Sequence, residues 1–198
     1  VILISLPLGV LSAVYKGTWI DTLCTGVAVL GQAIPVFWLG MLLIQLFTVK
    51  LSWLPSSGMG GLTHYVMPAF SLGFFTVAAI TRLLRSSLLE SMDSEYIKLA
   101  RIKGLTEFKV VWKHALRNSL ISVITLGGIY IAILITLGIL VEVVFAWPGM
   151  GRLLFQGIVF RDFPVVQAVV MISAAIVITT SLMVDIAYAY LDPRIRLQ

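Results

Sequence analysis

The sequence predicts an all-α, polytopic membrane protein, and three observations carry that prediction. Hydrophobic residues make up 60% of the 198 positions and charged residues only 12%, against roughly 25% charged in an ordinary soluble domain. The charges cluster, so that positions 23–49, 66–81, 119–141 and 163–184 hold none. An apolar run of about 18–25 residues is the length a helix needs to cross a hydrocarbon core of about 30 Å. Finally, the Lys and Arg residues fall mainly on alternate connections between these runs, as the positive-inside rule requires.

Taken in order, the chain opens on an apolar piece, 1–14. At about 1.5 Å per helical residue it reaches roughly 21 Å, too short to cross. It has no initiator Met, no basic n-region and no A-x-A site, so it does not read as a signal peptide. We expect it to be the C-terminal part of a spanning helix, and the chain to be N-terminally truncated. The run 23–49 is expected to span, with Pro35 kinking it, and Cys24 inside it is expected to be a small buried hydrophobe. An outer loop follows, rich in turn residues at Pro55, Gly58, Gly60 and Gly61. The next span, 66–84, starts near Pro68, and Arg82 and Arg85 extend it by snorkelling to the interface. Spans at 119–141 and 163–190 complete a single transmembrane domain over 1–198.

Orientation follows from a count. With the charged segment 85–118 in the cytoplasm, eleven of the fourteen basic residues lie inside and only Lys50, Arg152 and Arg161 outside. The C-terminus is then cytoplasmic, and the net charge of +5 reflects basic inner loops rather than nucleic-acid binding.

The inner segment 85–118 contains no proline, and its only glycine is Gly104. Tyr96, Leu99, Ala100 and Lys103 recur on one helical face. Asp93 or Ser94 is placed to cap this helix, and Gly104 suits the left-handed position that ends it. Thr106 then caps a second helix, expected from Glu107 to about Asn118, with Val110, Val111 and Ala115 on one side. The expectation is two short helices in a bend, a stiff knob under the membrane. The outer segment 142–162 is only partly polar, and we expect short helices folded back against the membrane surface. Glu142 and Asp185, at the ends of spans, suit interfacial structural roles. Gln45, Gln167 and the Ser/Thr cluster at 179–181 are candidates for a path lining or interhelical bonds, with nothing to choose among them.

The chain resembles the permease subunits of ABC importers, in their dipeptide/oligopeptide/nickel branch. The general loop pattern there is E-A-A-x3-G. Here Lys98-Leu99-Ala100 takes the first three places and Gly104 follows at the right spacing, although the Glu is absent. The branch pattern Y-[IV]-x-x-A-R-x-K-G-L is met by Tyr96-Ile97-Lys98-Leu99-Ala100-Arg101-Ile102-Lys103-Gly104-Leu105, and H-x-L-R-N by His114-Ala115-Leu116-Arg117-Asn118. Relatives often continue L-I-P; this chain has Leu120-Ile121-Ser122. Val141-Glu142-Val143-Val144-Phe145-Ala146-Trp147-Pro148-Gly149-Met150-Gly151 is similar to the V-E-x-x-F-x-W-P-G-x-G of the first of the two paired permeases. The Arg161–Gln167 segment and the tail Leu191-Asp192-Pro193-Arg194-Ile195-Arg196 also fit.

The resemblance implies a type I ABC importer transmembrane domain in the cell (inner) membrane. It implies a second homologous permease, two cytoplasmic ABC ATPase subunits, an extracytoplasmic solute-binding protein and membrane lipid as partners. The cargo would be peptides or a related small solute such as a nickel chelate or glutathione. It places ATPase coupling on Glu95, Tyr96, Leu99, Ala100, Arg101, Lys103, Gly104, Leu105, His114, Arg117 and Asn118. Tyr96, Leu99 and Ala100 would fill a groove on the ATPase or pack on the spanning helices, and Arg101 and Lys103 would make rim contacts. The residues Glu142, Phe145, Trp147, Pro148, Gly149 and Gly151 carry the outer signature.

No G-x-x-x-x-G-K-[ST] loop is present to cradle nucleotide phosphates. No paired carboxylates or metal-spaced His/Cys stand out, and His64 and His114 fall on opposite sides of the membrane. Enzyme chemistry therefore has no visible seat, and no cofactor or metal is expected; ATP hydrolysis would belong to partner subunits. Two other readings fit the hydropathy: a stand-alone secondary transporter or channel subunit, and a scaffold without transport. The first wants mid-membrane charges and repeated halves, neither of which is seen. The second leaves the loop sequence unexplained.

Overall fold

The computed structural model describes residues 1–191, with side chains throughout except at positions 122, 125, 126, 128, 129, 185 and 187–191. Asp185 and the Asp192–Arg196 part of the tail motif thus lie outside the described side chains. Among the described residues every regular element is a helix and none is a strand: α1 (Ile2–Val14), α2 (Trp19–Ala33), α3 (Val36–Leu43), α4 (Thr63–Met92), α5 (Glu95–Ile102), α6 (Glu107–Lys109), α7 (Leu116–Val144), α8 (Met150–Val159) and α9 (Phe163–Leu191). Two π-helical stretches, Ile44–Lys50 and Val110–Ala115, continue α3 and join α6 to α7.

Among the described residues two helices are long and apolar enough to cross a membrane, Thr63–Met92 and Phe163–Val184. A third is reached if α2 and the Val36–Lys50 helix count as one broken span. The run 23–49 is therefore not the single kinked helix expected. Pro35 has no N–H to donate and disfavours helical backbone at Ile34, so α2 stops at Ala33 and α3 restarts behind Pro35. Pro68, by contrast, stays inside α4 near its first turn.

Two compact units divide the chain. The first comprises Val1–Gln32, Thr76–Ile129 and the described residues from Met183 on; the second comprises Ala33–Phe75 and Tyr130–Leu182. In the first unit, α1 presents Ser5, Gly9 and Ala13, four residues apart, as a buried stripe. A Cβ on Gly9 would stand 2.8 Å from the Leu84 side chain, so the glycine lets α1 approach α4 closely. Small residues do this between membrane helices, where lipid supplies no hydrophobic drive to associate. Val10 and Ala13 then join Leu84, Leu88, Ile97, Val110 and Ala115 in one apolar core that runs from the helices into the loop beyond α4. The second unit has its own core of Val36, Met67, Val141 and Phe145.

Candidate functional site

The connection from α4 to α7 lies wholly in the first unit. Ser94 occupies the N-cap of α5, but its hydroxyl turns back to donate to the Ser91 carbonyl rather than capping the helix. The C-terminus of α5 closes as a Schellman motif. The Leu105 N–H donates to the Ala100 carbonyl at 3.3 Å and the Gly104 N–H to the Arg101 carbonyl at 2.9 Å. Gly104 has φ +78°, the left-handed region a glycine enters without penalty, and Leu105 turns inward onto the core beside Ala100.

The second loop helix does not end at Asn118. From Glu107 the backbone stays helical through Val110–Ala115 into α7. Thr106 sits at its N-cap without a side-chain hydrogen bond. With no proline after Ile121, the backbone stays helical there, so the knob's second arm runs on into the following long helix.

Two sets of residues emerge. Ile97 and Val110 have no exposed surface, and Ala100, Val111 and Ala115 are buried with them against Leu88 of α4. Ser91 ties the arms together, within 2.5 Å of the Tyr96 hydroxyl and donating to the Ala115 carbonyl at 3.2 Å. Arg101 reaches across the bend to Glu107, donating to both carboxylate oxygens at 2.8 and 3.3 Å. Exposed apolar side chains face outward from this rigid base: Tyr96, Leu99, Ile102 at 81% and Phe108 at 71%, with Trp112 beside Phe108. Glu95, Lys98, Lys103, Arg117 and Asn118 are also exposed, and His114 is half-buried. Glu95 pairs with Lys98 at 2.7 Å and raises the pKa of its ammonium by hydrogen bonding and charge.

The sequence left open whether Tyr96, Leu99 and Ala100 face a partner or the spanning helices. Ala100 is buried inside the chain, whereas Tyr96 and Leu99 face out. Sequence reasoning missed Ile102, Phe108 and Trp112, although large apolar residues amid charges in a polar loop were the available signal.

A second omission is larger. Arg85 does not snorkel. Its guanidinium forms a two-pronged ion pair with Asp21 of α2, Nε to Oδ1 at 2.7 Å and Nη2 to Oδ2 at 2.8 Å. Asp21 is buried, and its carboxylate also accepts from Ser12 Oγ of α1 at 2.6 Å, the Gly17 N–H at 3.0 Å and Thr25 Oγ1 at 3.2 Å. Asp21 is the sole acidic residue before Glu90, a signal that the sequence offered.

The outer signature lies wholly in the second unit. Here Glu142 of α7 caps α8: its Oε2 accepts from the Gly151 N–H at 2.7 Å and the Arg152 N–H at 3.1 Å. Free N–H groups and a positive dipole end favour a carboxylate at that place. Each glycine has a steric reason. A Cβ on Gly149 would collide with the Glu142 carboxylate, and one on Gly151 would stand 2.5 Å from the Ile139 backbone. Phe145 is buried, and its carbonyl accepts from the Gly58 N–H at 2.9 Å. Trp147 stands edge-on to Tyr65, centroids 4.7 Å apart. Pro148 is exposed in the turn before α8. Of the short helices expected between 142 and 162, the structure has one, α8.

Long apolar helices bound to a rigid helical connection define an all-α integral membrane component. The chain belongs to the binding-protein-dependent transport system inner membrane component family, whose model matches residues 5–197. It is 40% identical over 195 residues to the glutathione transport system permease protein GsiC of Escherichia coli strain K12, and 41% identical to that of Pectobacterium atrosepticum. Each match covers 98% of this chain and 64% of the relative's length. The fold is also similar to a crystal structure of an amino acid ABC transporter with histidines, at a TM-score of 0.70 and 16% identity, covering 96% of this chain and 84% of that one.

Proposed function

We propose that this chain is a permease subunit of an ATP-driven, binding-protein-dependent importer. It would share a translocation path with a second homologous permease and take its drive from two cytoplasmic ATPase subunits. The observation that supports this most is the knob. Its core is buried within the chain, its bend is fixed by Gly104 and by Arg101–Glu107, and its outer face carries Leu99, Ile102 and Phe108 uncovered. A polar-loop surface of that kind wants a protein partner. A push from a closing ATPase would pass through a helix that runs on into α7. On this reading Arg101 braces the bend more than it lines a rim, and Lys103, Arg117 and Asn118 supply polar contacts around the apolar face.

The reading includes four full spans, at 23–49 as a broken pair, 66–84, 119–141 and 163–190, with the knob and C-terminus in the cytoplasm. Catalysis of ATP hydrolysis would lie on the partner subunits. The cargo class is a short peptide or similar small solute, and the relatives named for glutathione transport make glutathione the first to test. The test is purification of the intact complex from membranes, followed by reconstitution in liposomes. Co-elution of a nucleotide-binding subunit and ATP-dependent glutathione uptake support the proposal. Robust uptake by this protein without any ATPase would sink it in favour of a secondary transporter.

A further inference from the structure

We infer that Asp21 and Arg85 are a positioning pair that fastens α1 and α2 to the knob-bearing helix α4, so that movement of the knob is delivered to them. This inference rests on the coupling role proposed above. Four groups converge on one carboxylate. Ser12 comes from α1, Gly17 from the turn, Thr25 from α2 and Arg85 from α4, all within 2.6–3.2 Å. Both carboxylate oxygens are engaged, and both guanidinium prongs meet them, so the contact fixes angle as well as distance. Arg85 lies three residues, less than one turn, before Leu88, a fully buried residue that shares one core with Ile97 and Val110 of the knob.

Packing at Gly9 and Leu84 already holds α1 against α4. Asp21 is buried and Arg85 half-buried, and an ion pair taken out of water adds little net holding strength over apolar residues of similar size, so that such replacement is often neutral for stability. What the pair adds is a single register between helices that apolar contacts alone would let slide. Asp21 and Arg85 touch neither cargo nor nucleotide in this account; they act through α4.

The test uses the complete reconstituted importer and reads solute uptake and ATP hydrolysis together. Asp21→Asn, Arg85→Gln, the apolar pair Asp21→Leu/Arg85→Met and the exchange Asp21→Arg/Arg85→Asp are compared. The expected result is that the apolar pair assembles in normal yield but imports about tenfold less solute per ATP hydrolysed. The single variants would show the same loss of coupling where they assemble, and the exchange would recover part of it. The inference is overturned if the apolar pair couples normally, if uptake and hydrolysis fall in the same proportion, or if no variant assembles, since the pair then only holds the fold. Failure of the underlying proposal would look different, because the unaltered complex itself would show no ATP-driven uptake.

Discussion

The knob between α4 and α7 and the segment between α7 and α9 are both short helical connections with a dense signature, yet their signature residues are spent in opposite ways. In the outer segment Glu142, Phe145, Trp147, Gly149 and Gly151 all find partners within their own unit: a helix end, an apolar core, an aromatic edge, a close backbone. In the knob, Ala100, Leu105 and Gly104 make the bend and the Tyr96 hydroxyl meets Ser91, but Leu99, Lys103, Arg117 and Asn118 are left facing out. The first motif reads as architecture and the second as architecture plus an interface. A shared signature therefore does not say what each residue is for; burial and hydrogen bonding divide it.

The largest effect expected from this contrast is at Gly151. Replacing it with Leu forces a side chain into the Ile139 backbone, and overpacking of this kind costs about 3 kcal/mol at the upper end of its usual range. Thermal unfolding in detergent should show a strongly lowered Tm. An unchanged Tm would mean that the outer segment is not built as described. Next comes Ile102→Asp, which should weaken association with the ATPase subunit by about 2 kcal/mol if it sits at the centre of the interface. Its Tm should stay put, because an exposed substitution changes stability by about 0.5 kcal/mol or less. Binding assays on purified subunits separate the two. Glu142→Ala should cost about 1–2 kcal/mol of stability by uncapping α8, with ATPase binding unaffected. Smallest is Gly104→Ala. A Cβ there meets nothing, so the cost is backbone strain of about 1 kcal/mol, seen as a modest Tm shift with reduced coupling.

Much of this was legible beforehand. The long uncharged runs, the bend at Gly104 and the helix after Trp147-Pro148-Gly149 follow from charge spacing and from turn chemistry, which act locally. What was not legible was long-range or sub-helical. Arg85 looked like a snorkelling cation because its partner lies 64 residues away on another helix. The Ser5–Gly9–Ala13 stripe is a packing face whose four-residue spacing of small residues was there to be read, but which helix it meets, Leu84 of α4, lies far along the chain. The break at Ile34–Pro35 was read as a kink, since a proline in an apolar run is compatible with either outcome. The continuity from Glu107 into α7 was hidden because a helix carrying charges at one end and none at the other reads as two elements.

The central claim is that the outward face of the knob docks on a nucleotide-binding subunit. A photo-activatable residue placed at position 102 of the intact complex tests it most directly, with position 145 as the internal control. The account predicts an adduct between position 102 and the ATPase subunit, and none from the buried position 145. Adducts from position 102 only to lipid or to this chain itself, in a complex that still couples ATP hydrolysis to uptake, would contradict it.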